Sequence, residues 1–349
     1  MGDVWIETLA SHSALCKQRG KSEHLAASLL FGASLNQLIN SLLWDKGYTM
    51  RKCLLFVFAV SLTISCQTID LEKYTKAPAL QRLPIADIGS LDLAAFGIDD
   101  KSEDLGVERY FVSLKTRPLV FQRFILIRPR SPVASVILFA GGAGTLGLKE
   151  SRGVLIINEY QYNFLIRTRN DFANHGLMVA AVDAPSDRQY GMHDGFRNSG
   201  KHLEDIEAVI SFLKKEANVP VWLVGTSRGT ESAAYIATKA KEAINGLVLT
   251  SSMTVPNRRG RTVTSLSLGR ISVPTLIVAH ENDACVLTPH YGAEQIARRL
   301  TNAPKVEVKY FSGGYAPASG PCDAMSAHGF YGIEKEVVAY IAGFIKANS

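Results

Sequence analysis

The chain has 349 residues, 47% hydrophobic and 20% charged, with a formal net charge of +6, a composition that fits a globular protein and excludes disordered or fibrous classes. Its basic residues are scattered and no basic run is interleaved with aromatics, so nucleic acid is not an expected partner. No C-x-x-C or H-E-x-x-H spacing occurs, so no metal centre is expected.

Met50-Arg51-Lys52 is followed by an apolar stretch, Cys53 to Ile64, and then by Ser65-Cys66-Gln67. A short positive segment, an apolar core and a small-residue cleavage zone predict a signal peptide over 50–66, and with it export. The apolar stretch falls short of the ~20 residues that span a bilayer. Signals normally open a chain, so Met50 is the expected initiator and 1–49 an upstream extension without a structural role. The alternative is that 1–49 form amphipathic helices and 53–64 a buried or anchoring helix. Thr63-Ile64-Ser65-Cys66 resembles a bacterial lipoprotein box, which would lipidate Cys66 and tether the protein to a membrane. Such boxes carry Leu three residues before the Cys, whereas here Leu62 is one place off. Ordinary cleavage after Ser65 is the competing expectation, and the location follows as periplasmic, outer-membrane-anchored or secreted.

Residues 67–105 are weakly periodic and are expected to be a lead-in with little regular structure, ahead of one domain over 106–349. Val107 to Lys115 and Leu119 to Arg128 flank a Thr-Arg-Pro turn and predict an antiparallel hairpin. Ala134 to Ala140 is a short apolar run ending at Gly141-Gly142, the pattern of a buried strand. Met178 to Val182, Val219 to Val224, Gly246 to Thr250, Thr275 to Ala279 and Val306 to Phe311 repeat it. Helical patterns lie between them at 158–175, 201–216, 228–243, 289–300 and 333–347. In the second of these, Leu203, Ile206, Val209, Ile210 and Leu213 share one face. Strands alternating with helices behind a hairpin predict an α/β fold: a mostly parallel eight-stranded sheet with helices on both faces. Arg188, His193, Arg197 and the cluster Arg258, Arg259 and Arg261 are expected to be solvated. The alternative is a basic rim that attracts anionic substrates.

Gly225-Thr226-Ser227-Arg228-Gly229 is a G-x-S-x-G motif with a strand-like run before it and the helical Thr230 to Ala237 after it. That setting is the one a nucleophile elbow needs. Flanking glycines let the chain turn without a Cβ clash, and the backbone N–H of Arg228 can then face a developing oxyanion. A glycine-bracketed structural turn is the plain alternative. The five cysteines are Cys16, Cys53, Cys66, Cys285 and Cys322. Loss of the leader and lipidation of Cys66 would leave the pair Cys285 and Cys322, which export places where disulfides persist. Two unrelated thiols are the alternative.

On these residues the chain resembles the α/β-hydrolase superfamily, in an open form like that of dienelactone hydrolases. That family places serine after the fifth strand, an acid after the seventh and histidine after the last. The resemblance therefore implies Ser227 as nucleophile, Asp283 as the orienting acid (Glu281 its rival) and His328 as the base. His280 and His290 fall on the wrong side of the last strand. A second oxyanion donor is implied from the loop Ala140 to Thr145, at Gly142 or Ala143. A Cys285–Cys322 bond would tie the acid loop to the base loop. The interval from Thr250 to Thr275 is too short for a large helical lid, so little or no cap and water-soluble small-molecule esters are implied. The chemistry is acyl transfer from an ester to water without a cofactor. A peptidase or amidase with the same triad, or a binding protein that kept the fold without turnover, are the alternatives.

Overall fold

The computed structural model describes residues 80–84, 106–152, 154–256 and 261–349. The leader over 1–66 with Cys66, and the arginines at 258 and 259, lie outside the described residues. Three antiparallel strands open the sheet: β1 (Leu80–Pro84), β2 (Glu108–Arg117) and β3 (Val120–Arg128). Then come β4 (Ala134–Phe139), a separate small hairpin of β5 (Lys149–Ser151) and β6 (Val154–Ile156), and β7 (Leu177–Val182). The last strands are β8 (Val221–Thr226), β9 (Gly246–Thr250), β10 (Thr275–His280) and β11 (Val306–Phe311). They form a nine-stranded sheet in the order β1-β2-β3-β7-β4-β8-β9-β10-β11, parallel from β7 onward.

The sheet therefore has one strand more than the eight expected. The addition is β1, inside the lead-in expected to hold little regular structure. Leu80-Gln81-Arg82-Leu83-Pro84 is too short to show a period of two, and long-range contacts hold it instead. It pairs with β2, while Arg82 bonds Glu216 at 2.8 Å and lies over the Tyr110 ring. The expected helix at 158–175 also differs, dividing into Phe164–Arg167 and Arg169–Asn174. Tyr160 has φ +50°, which no right-handed helix accommodates, and the Asn163 side chain caps the helix start instead.

Alternation along the buried strands sends neighbouring side chains to opposite faces. Val136 and Leu138 of β4 join a core with Phe164, Phe172, Val337, Ile341 and Phe344. Ile137 and Phe139 join another with Ile206, Val209, Ile210, Leu213 and Ala233. Helices Gly200–Glu216, Gly229–Ala240 and Gly292–Ala297 thus cover one face, and Phe164–Asn174 and Glu334–Ala347 the other. The chain leaves β4 toward β7 on one side and returns to β8 on the other. Loops after β4 and β8 consequently open to opposite faces and leave a crevice at the strands' carboxyl ends, where open α/β sheets bind ligands.

Candidate active site

The G-x-S-x-G stretch crosses that crevice. β8 ends at Thr226, Ser227 adopts φ +51°, and the helix begins at Gly229. Left-handed backbone at a serine costs about 1–3 kcal/mol and persists only where the surroundings demand it. Here the Ser227 N–H donates to the carbonyl of Thr250 (3.0 Å), while its own carbonyl accepts from the Thr230 N–H at the first helical turn. The glycines are required by close approach. A Cβ at Gly225 would come within 2.6 Å of the Gly229 carbonyl oxygen, and one at Gly229 would fall on the carbonyl oxygen of Phe139. The glycine-bracketed serine is therefore a sharp strand-to-helix turn pressed against the end of β4. With the parallel strand order, this turn decides the architecture. The fold is that of the α/β-hydrolases.

Across the crevice, the loop after β4 lies against the serine: a Cβ at Gly141 would stand 3.0 Å from Ser227 Cβ. The Asp183 carboxylate anchors this loop by accepting the N–H groups of Leu146 (2.6 Å) and Leu148 (2.8 Å). Burial pushes that carboxyl above the usual carboxylate range, and the backbone bonds oppose the shift.

Asp283 and His328 meet at the carboxyl end of the sheet, after β10 and β11. Asp283 follows β10; its Oδ1 accepts the N–H of Cys285 (2.9 Å), and its Oδ2 lies 3.0 Å from Nδ1 of His328. Thr288 Oγ1 donates to the same Oδ2 at 3.0 Å and is 3.0 Å from the same ring nitrogen. Both the acid and the imidazole are buried, at 9% and 5% exposure, so water competes little for these bonds. His328 sits in a single turn, Ala327–Gly329, whose backbone is gripped from two sides. Ser251 Oγ donates to the His328 carbonyl (2.8 Å), and Arg167, paired with Glu334 at 2.9 Å, donates to the Gly329 carbonyl. Since Thr250 receives the Ser227 N–H, the serine and histidine backbones hang from adjacent residues at the end of β9. A disulfide joins Cys285, two residues past the acid, to Cys322 in the loop before the histidine.

Glu281 is exposed and lines a groove with His290, Glu294 and Tyr310, a different surface from the Asp283–His328 pair. The His280 ring is occupied, with Nδ1 accepting from the Asn282 N–H and Nε2 bonded to the Gly313 carbonyl. Arg197 corrects an expectation: read as a solvated rim residue, it has 0% exposure. Its helix, Asp194–Arg197, folds the side chain under the loop after β4, where it donates to the Gly142 carbonyl (3.1 Å) and Ser232 Oγ (2.9 Å). Thr288 and Ser251 were missed as well. No motif marks either, because their partners lie 40 and 77 residues away.

No protein-family model matches the chain, and no curated protein matches it in sequence. Among solved structures it is similar to a cold-adapted esterase from an Arctic intertidal metagenomic library (16% identity, 70% of this chain and 97% of that one, TM-score 0.44). It is also similar to Est1E from Butyrivibrio proteoclasticus, solved with ferulic acid (15% identity, 66% and 96% coverage, TM-score 0.46). A dienelactone hydrolase from Anabaena variabilis stands at 15% identity, 69% and 96% coverage and TM-score 0.46.

Proposed function

We propose that the chain is a serine hydrolase that cleaves carboxylic esters through an acyl-enzyme. The observation that carries this reading is the His328–Asp283 contact at 3.0 Å, with the backbones of His328 and the left-handed Ser227 bonded to the adjacent residues Ser251 and Thr250. A serine hydroxyl needs a base to become a nucleophile at neutral pH. In this reading Ser227 attacks the ester carbonyl while His328 Nε2 takes its proton. The bond from Nδ1 to Asp283 holds the imidazole in the tautomer with Nε2 free and stabilises the charged ring that forms. The N–H of Arg228 and one N–H of the loop after β4 receive the oxyanion. His328 returns the proton to the leaving alkoxide, and water, deprotonated by the same ring, releases the acid. Export belongs to the same proposal: the Met50 to Cys66 pattern motivates it, and the Cys285–Cys322 disulfide is consistent with an oxidising compartment.

The test is labelling by a fluorophosphonate probe together with turnover of p-nitrophenyl esters and anilides. We expect ester turnover and labelling that both vanish in Ser227→Ala. Turnover that survives the substitution, or none on any ester, would refute the reading. Mass spectrometry of the mature N-terminus tests export; a mature chain that begins before Met50 overturns it.

A further inference from the structure

Arg197 is a fully buried cation that the reaction above does not use. Burial with 0% exposure is costly for a guanidinium, and its Nε has no hydrogen-bond partner among the described residues. Burial pushes its pKa down to about 10, which leaves it charged at neutral pH. The opposite charge acting on it is Glu231, also at 0% exposure, whose own ion pair is with Arg228 at 3.7 Å. A guanidinium placed this deep without a close carboxylate adds little net stability, so its placement calls for another reason.

The contacts supply one. Nη1 reaches Ser232, on the helix that opens beside Ser227, and Nη2 reaches the carbonyl of Gly142, in the loop after β4. These elements carry the two oxyanion donors of the proposed mechanism. The peptides of the described chain are trans, so the Gly142 carbonyl and the Ala143 N–H point in opposite directions from one plane. A carbonyl drawn inward to a buried guanidinium turns that N–H outward, to the half-exposed side of the loop. Neighbouring carbonyls are held as well: Gly141 accepts from the Gly144 N–H (3.0 Å) and Ala143 from the Met192 N–H (2.8 Å). Among the described residues, the Ala143 N–H has no acceptor of its own. The fit around the guanidinium is tight, since a Cβ at Gly144 would come within 2.5 Å of Nη2.

We infer that Arg197 is a positioning residue for the oxyanion hole: by clamping the Gly142 carbonyl to the nucleophile helix through Ser232, it aims the Ala143 N–H at the developing oxyanion. This rests on the serine-hydrolase reading and selects Ala143 over Gly142 as the second donor. The hydrogen-bond donor that stabilises the transition state is backbone, and Arg197 acts through it.

The experiment compares wild type, Arg197→Met, Arg197→Ala and Ser232→Ala on p-nitrophenyl acetate, with rates divided by the fluorophosphonate-titrated concentration of folded sites. Removing an oxyanion donor lowers kcat about 10²–10³-fold. We expect a loss of that size in Arg197→Met with KM within about threefold, because the interaction forms only in the transition state. Affinity for a trifluoromethyl ketone should fall in parallel with kcat/KM. Ser232→Ala, which keeps the charge and removes one anchor, should lose about tenfold in kcat. Millimolar guanidinium should restore Arg197→Ala at least about tenfold and leave Ser227→Ala inactive. A merely structural role predicts a lower Tm with kcat per titrated site unchanged. Retention of wild-type kcat by Ser232→Ala or by any folded Arg197 variant overturns the inference while leaving the parent reading intact. Wild-type turnover that is absent or independent of Ser227 defeats the parent reading and the inference with it.

Discussion

His202 is a buried imidazole whose protonation should cost the fold stability in acid. It lies on the helix Gly200–Glu216 with 1% exposure, packed between the rings of Phe139 and Phe196, and neither ring nitrogen has a hydrogen-bond partner among the described residues. Burial, with the charges of Arg197 and then Arg117 adding to it, pushes its pKa from 6.5 down to about 3. The folded imidazole therefore stays neutral where the unfolded one takes up a proton. A depressed folded pKa means that the group's contribution is intact above pH ~6.5 and is lost as pH falls toward ~3. One proton of difference is worth about 1.4 kcal/mol per pH unit, so the full loss is on the order of 5 kcal/mol. His202→Leu, close in volume and without a titrating group, should lie within about 1.5 kcal/mol of wild type at pH 7. By pH 4.5 the stability difference should have moved about 2–3 kcal/mol in the variant's favour. Urea unfolding at half-unit steps from pH 7 to 4.5 measures this directly. Parallel stability profiles for the two proteins would refute the assignment of a neutral, buried imidazole.

Four further outcomes test the site and its frame. Asp283→Asn should lower kcat about 10⁴-fold by releasing the wrong tautomer, whereas Glu281→Gln should keep it; equal losses would reverse the assignment of the acid. Thr288→Val removes the hydroxyl 3.0 Å from both Asp283 Oδ2 and His328 Nδ1, and kcat should fall about tenfold at unchanged KM, as steady-state kinetics would show. Gly229→Ala sets a methyl on the Phe139 carbonyl, so chemical denaturation should report a loss of at least about 2 kcal/mol. Replacing Cys285 and Cys322 by serine opens a loop with a sequence separation of 37, and thermal unfolding should register a loss of up to about 4 kcal/mol; an unchanged Tm in wild type treated with reductant would contradict that.

Legibility from sequence followed the range of the interaction. Val136 to Phe139, Val179 to Val182 and Leu223-Val224 announce buried strands because an apolar run is a local property, set by the two-residue alternation of the backbone. Gly225 and Gly229 announce the elbow for the same reason: a turn that tight excludes Cβ atoms within five residues of chain. Asp283 and His328 needed more. Their place after successive strands marked them as candidates, and only the closing of β10 against β11 brings the loops that carry them together.

Other features had no local trace. β1 is a strand because β2 presents an edge and Glu216 a partner for Arg82, neither of which its own five residues encode. Arg197 reads as a surface cation in a polar stretch, yet the loop after β4 folds over it and exchanges water for the Gly142 carbonyl and Ser232. Local propensity and sterics are functions of neighbouring residues, so the sequence by itself determined most of the strands and helices and the sharp turn at Ser227. Desolvation and long-range pairing depend on what the rest of the chain places nearby, so tertiary structure alone decided the Thr288 bridge, the neutral His202 and the burial of Arg197.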